Sequence, residues 1–214
     1  MTRLIDIGLE EQSVLLTRMG ELTYQTLSLS IKAYLEGSTS LGHVREMSDN
    51  LMVMASKVED RTFELIARFQ PVASDLRAIK SYMKIGYDFA RYGRYALDIS
   101  YINDQVDGLK KCDSAMKVFI EEMSEKVLQM VKISVDALRK HDVELASTIS
   151  QTEREVDQMY HTHLKNLITD KQTSNKCVIS SALMTRYLER IADHAVYVCE
   201  SITYIVTGEK NSLR

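Results

Sequence analysis

"MSEKVLQMVKISVDALRKH", residues 123–141, decides how this chain folds, because residues 19–37, "MGELTYQTLSLSIKAYLEG", are a second version of it. Met19, Glu21, Gln25, Ser30 and Ala33 recur as Met123, Glu125, Gln129, Ser134 and Ala137 at one constant offset. Further on the offset shortens by six residues, and Met47, Leu51, Val58, Ile66 and Phe69 then fall opposite Leu145, Ile149, Val156, Leu164 and Leu167. The shortening sits where "EGSTSLGHV" is replaced by "KHDVEL", and connections are where insertions are tolerated. A repeat of this length means that the chain builds one unit twice.

Within the quoted stretch and its surroundings, Met116, Ile120, Met123, Val127, Met130, Ser134 and Ala137 alternate four and three apart. That is the spacing of a helix packed along a bundle seam. Met184, Leu188, Ile191, Ala195, Val198, Ile202 and Ile205 repeat the pattern near the carboxyl end. The spacing predicts three helices per copy: roughly 9–36, 43–69 and 74–102, then 113–140, 142–170 and 174–207. The expected fold is therefore all-α, a tandem repeat of two three-helix bundles, spanning 1–108 and 109–214. One proline and eight glycines in 214 residues agree with long helices and few turns. Pro71 stops the second helix, Ser74 is expected to cap the third with Asp75 in its first turn, and Gly208 ends the last. The methionines of the seam read as core filling.

Charge and composition exclude several functions. The formal net charge is −3, and no run of Lys and Arg is present, so nucleic acid is not an expected partner. No apolar stretch reaches the roughly 18–20 residues that span a bilayer. Asp6, Glu10 and Glu11 stand where a signal peptide needs apolar residues, which predicts a cytoplasmic location. Cys112, Cys177 and Cys199 are far apart, with no C-x-x-C pair, and read as reduced, mostly buried thiols rather than a disulfide or zinc site. No glycine-rich phosphate loop and no activated nucleophile is visible, so no catalysis is expected.

Chemistry concentrates in the second copy, where E-x-x-x-D occurs twice: Glu153 with Asp157, and Glu189 with Asp193. Residues four apart share a helix face, and unpaired like charges there repel by a few tenths of a kcal/mol. Two readings follow. The acids make surface ion pairs with Arg154, Arg186 and Arg190, or they converge on a hard cation that favours oxygen ligands. Spacing alone weighs toward ion pairs. On a helical wheel Glu189 and Asp193 lie opposite the Leu188–Ile191–Ala195 seam and are expected to face outward, whereas Glu153 and Asp157 fall among Ile149, Val156, Tyr160 and Leu164. His161 and His194 adjoin these acids but stay outside the expected ligand set. A ferritin-like di-metal enzyme would need Glu-x-x-His on two helices, and no glutamate here has a histidine three residues later.

"QPVASDLR" at 70–77 and "LERIADHA" at 188–195, within "RFQPVASDLRAIKSYMKIGYD" and "RYLERIADHAVYVCESITYIVTGE", resemble the two signature segments of the PhoU family, regulators of phosphate uptake built as tandem three-helix bundles. The resemblance covers nearly the whole chain. It implies metal binding through E(D)-x-x-x-D pairs on the second and third helices of a copy, with iron or zinc among the metals. The second copy matches with Glu153, Asp157, Glu189 and Asp193. The first has Ala55 and Glu59, then Ala90 and Arg94, in those places, so its site is expected to be abandoned. The resemblance further implies negative regulation of a phosphate-specific ABC transporter at the cytoplasmic face, through its ATPase subunit, and of phosphate-starvation signalling through a sensor histidine kinase. It implies self-association as a homodimer, with membrane contact only through partners. A metal-free adaptor using the same surfaces is the alternative.

Overall fold

The computed structural model describes residues 3–169 and 173–213, and among these every regular element is a helix. The first copy comprises α1 (Leu4–Glu36), α2 (Leu41–Phe69) and α3 (Ala73–Val106). The second comprises α4 (Ser114–Lys140), the short α5 (Val143–Ser147), α6 (Ile149–Thr169) and α7 (Asn175–Thr207). At 1.5 Å per residue, the longest helices run about 50 Å, so the bundles are slender. The seam residues of α4 named above are all buried, and those of α7 are buried as far as Ile202. Burying one face of each long helix is what holds such bundles together, because helical propensity alone is weak.

The helix ends follow local chemistry, with two departures from expectation. Gly37 (φ 63°) and Gly208 (φ 79°) close α1 and α7 in the left-handed conformation, which glycine adopts without steric cost. Pro71 follows α2 as expected, but α3 begins at Ala73 with Val72 as its N-cap. Ser74 therefore lies inside the first turn rather than at the cap, and the cap has no side-chain hydrogen bond. Asp75 supplies the negative charge there and accepts from Arg3 Nη1 at 2.9 Å. The helix expected over 142–170 is split at Thr148 into α5 and α6. The hydroxyls of Ser147 and Thr148 accept no cap; they donate to the carbonyls of Glu144 and Leu145 at 2.7 Å each and compete with the regular ladder. Of the expected connection "TDKQTSN", residues 170–172 lie outside the described residues, as does the end of the expected helix at 170.

The copies share a core. One cluster of buried side chains runs from Leu16 and Tyr34 in the first copy to Met130 and Ile202 in the second. The two copies meet through α3 against α7 and α1 against α4, which are equivalent helices. Tyr95 and His194, which occupy matching positions 99 residues apart, touch each other at 3.4 Å. Contact between equivalent residues is the mark of a local pseudo-twofold axis. At the other crossing Gly20 lets α1 approach α4: a Cβ there would lie 2.8 Å from Val135 Cγ2.

The cysteine expectation is corrected. Cys112 and Cys177 form a disulfide, with Cα atoms 5.6 Å apart, and only Cys199 is free and buried. The fold brings the connection after α3 against the first turn of α7, a proximity that separation in sequence does not reveal.

Candidate metal centre

α2 and α3 of the first copy present Ala55, Glu59, Ala90 and Arg94 to one shared groove of about 830 Å³. These are the positions equivalent to Glu153, Asp157, Glu189 and Asp193. The groove thus shows what faces what in this fold, and Arg94 brings a cation into the place of an acid. Asp88, the remaining acid of that region of α3, does not serve the groove. It is buried at 2% exposure and accepts a 2.8 Å hydrogen bond from His194 Nδ1 across the pseudo-twofold axis.

In the second copy the burial of the acids is the reverse of the wheel reading. Glu189 and Asp193 are largely covered, with side-chain exposures of 14% and 13%, while Asp157 is 52% exposed. The reason is that α7 is packed by α3, α4 and α6, so even its face away from the seam is half enclosed. Arg186 Nη1 donates to Glu189 Oε2 at 2.8 Å, and Arg190 reaches Asp193 at 3.6 Å and Glu189 at 3.9 Å. His161 Nε2 lies 3.4 Å from Asp157. His163, by contrast, is buried against Phe119 and hydrogen-bonded to Ser181, which makes it a core residue.

Electrostatics couples the two helices. Burial pushes the Glu189 carboxyl above the usual carboxylate range, and the charge of Asp193 adds to this. Arg186 and Arg190 pull the other way, and Asp157, across on α6, raises it further. By formal count the carboxylates of Glu189, Asp193 and Asp157 set three negative charges against the two positive charges of Arg186 and Arg190, an excess of one. That excess and the all-oxygen donor set fit a hard cation in charge and chemistry. Among the described residues no group of three or more His, Cys, Asp or Glu side chains converges on a point that a metal ion would occupy. The arrangement as it stands is an ion-pair network over a half-buried acidic patch, and a cation would replace Arg186 and Arg190 as its counter-charge.

The profile of the PhoU domain matches this chain twice, over residues 16–102 and 120–202. The chain belongs to the PhoU family. A protein of Clostridium acetobutylicum named phosphate-specific transport system accessory protein PhoU homolog is 30% identical over all of this chain and 99% of its own length. A Pseudomonas putida protein of the same name is 30% identical over 94% of the chain and 79% of its own length. The crystal structure of PhoU from Pseudomonas aeruginosa superposes with a TM-score of 0.88 at 29% identity, covering 95% of this chain and 99% of that one.

For a PhoU-family chain the sequence reading missed one polar feature, the pairing of Asp88 with His194. A signal was present. Ile85, Asp88, Tyr92 and Tyr95 follow one face of α3, and an acid within a buried stripe needs a partner. The Tyr95 hydroxyl, which Arg91 also approaches at 2.8 Å, completes the network around the His194 ring.

Proposed function

We propose that this protein is a non-catalytic regulator of phosphate uptake. In this reading it is a cytoplasmic adaptor that restrains a phosphate-specific ABC transporter by docking on its ATPase subunit. It also represses phosphate-starvation signalling, with a sensor histidine kinase as a second partner, works as a homodimer and reaches the membrane only through partners. The observation that carries the reading is the end-to-end match to proteins named as accessories of a phosphate-specific transport system. No described helix is long and apolar enough to cross a membrane. Deletion of the gene is expected to leave phosphate uptake and starvation-gene expression high when phosphate is ample. The protein is also expected to co-purify with the ATPase subunit. Unchanged uptake in the deletion strain, together with failure to co-purify, would remove the reading.

Within it, Glu153, Asp157, Glu189 and Asp193 hold a divalent or trivalent metal ion, iron or zinc. The ion neutralises the acidic patch and ties α6 to α7. The residual negative charge around Glu189 supports this site. The Arg186–Glu189 ion pair favours the rival, a metal-free adaptor. Metal analysis of untagged protein separates the two: the wild type is expected to retain metal and the Glu189→Ala/Asp193→Ala variant to lose it. Equal content in both assigns the acids to ion pairing alone.

A further inference from the structure

About two turns beyond Asp193, toward the carboxyl end of α7, lies a cleft of about 320 Å³. It is built from both copies: α3 contributes Lys80, Ser81 and Lys84, α7 contributes Ser201 and Tyr204, and the tail beyond α7 contributes Lys210 and Asn211. The volume equals roughly ten water molecules at about 30 Å³ each, enough for a small solvated anion. The tail is held in place. The Leu213 N–H donates to Glu200 Oε1 at 3.1 Å, and the Leu213 side chain packs against the core.

The charges of this cleft are not balanced by the protein. Lys80 and Lys84 are four apart on α3, where like charges repel. Lys210 approaches from the tail, with its ammonium over the Tyr204 ring at 5.8 Å. Glu200 is the one acid in the lining, so three lysines face one carboxylate. Among the described residues no carboxylate lies within ion-pair distance of Lys80, Lys84 or Lys210. Arg77 likewise lies over the Tyr204 ring, at 5.9 Å, and its buried Nε has no acceptor among the described residues. Arg77 also lies against the C-cap Gly208, where a cation offsets the negative end of α7. Ser81 adds a buried hydroxyl to the lining and Asn211 an exposed amide, while the Ser201 hydroxyl already donates to the Tyr197 carbonyl at 2.7 Å.

We propose that this inter-repeat cleft binds inorganic phosphate as the hydrogen phosphate dianion. The lysines supply a net positive charge of two against Glu200, which matches a dianion. Lysine is a point-charge donor to phosphate, and the Ser81 hydroxyl and Asn211 amide add two further donors. Glu200 is what separates phosphate from sulfate. Its carboxylate has acceptor capacity beyond the Leu213 N–H and takes the proton that phosphate still carries at neutral pH and sulfate lacks. The bound anion then pins the tail of the second copy onto α3 of the first. This site stands independently of the regulatory reading, since it concerns binding by the purified chain.

Isothermal titration of the untagged protein with inorganic phosphate, sulfate and glycerol phosphate, at fixed ionic strength, tests it. Inorganic phosphate is expected to bind once per chain, with sulfate weaker by about tenfold or more, the scale of one lost charge-assisted hydrogen bond. Lys80→Gln/Lys210→Gln removes one exposed charge from each side of the cleft and is expected to weaken binding by at least about tenfold. Lys165→Gln/Lys176→Gln, with the same loss of charge elsewhere on the surface, is expected to leave it within about twofold. Circular dichroism confirms that both variants fold. Binding of glycerol phosphate but not of inorganic phosphate leaves no role for the Glu200 acceptor and overturns the proposal. Absence of binding by both phosphates, equal binding of sulfate, or equal losses in the two variants overturns the proposal.

Discussion

Glu189 concentrates the chemistry of the acidic patch in one side chain. Its carboxyl titrates above its ordinary range because it is buried and faces Asp193, with Asp157 adding to the effect. A carboxyl raised on folding contributes stability that is fully present below its unfolded pKa and lost as pH rises through the folded value. At pH 7 the ionised Glu189 of metal-free protein is therefore a destabilising group. Glu189→Gln is expected to raise the melting temperature of metal-stripped protein at pH 7 by about 1–3 °C, and to give no gain near pH 4, where the native residue is already protonated. Added iron or zinc is expected to reverse the order, stabilising the wild type more than the variant. Calorimetry at two pH values with and without metal checks this, and a variant less stable than the wild type at pH 7 without metal contradicts it. Glu189 also marks where sequence was misleading. A wheel places it opposite the seam, but it cannot show that a third neighbouring helix covers that face.

At the scale of elements, legibility tracked how much of a signal is local. The four–three spacing of Met116 to Ala137 identified α4, and its members are buried in the structure. Pro71 and Gly208 marked real helix ends because their backbone preferences are properties of single residues. The break between α5 and α6 escaped because Ser147 and Thr148 are common in helices, and their back-bonding to Glu144 and Leu145 is matched by Ser134 and Thr185 within unbroken ones. The pairing of Cys112 with Cys177 escaped for a different reason: it depends on where the connection after α3 meets α7. That bond closes a loop 65 residues long, and loop-closure entropy makes its worth about 4 kcal/mol. Reduction with dithiothreitol is expected to lower stability by up to that amount and to speed amide exchange first in the opening turns of α7. Exchange monitored by mass spectrometry reads this out; unchanged protection of Asn175 to Ser181 on reduction would show that α7 is held without the bond. In a reducing compartment the same pair would stand as thiols, with the start of α7 looser than in oxidised protein.

At the scale of the molecule, the repeat was plain in sequence because its offset is constant along whole helices, yet its energetic meaning was not. Two copies suggest two units, whereas the buried cluster passes from one to the other without interruption. Asp88 and His194 reinforce this join, since a buried carboxylate is costly unless a partner from the other copy reaches it. Gly20 is the steric counterpart. An added side chain there would meet Val135 at 2.8–2.9 Å and Phe89 at 3.3 Å, so α1, α4 and α3 converge on the space that glycine leaves. Gly20→Leu is expected to cost about 1–3 kcal/mol through overpacking, against a gain of up to about 1 kcal/mol from better helix propensity. Gly42→Leu supplies the control, because nothing lies within 4 Å of an added Cβ there and only the propensity gain remains. Urea unfolding followed by circular dichroism should give one transition in both variants, shifted to lower urea only for Gly20→Leu. A shared core unfolds as a unit, so a perturbation at the join must lower the stability of both copies together. Two resolved transitions, with only one displaced by Gly20→Leu, would mean that the copies are energetically separate and that α3 and α7 merely touch.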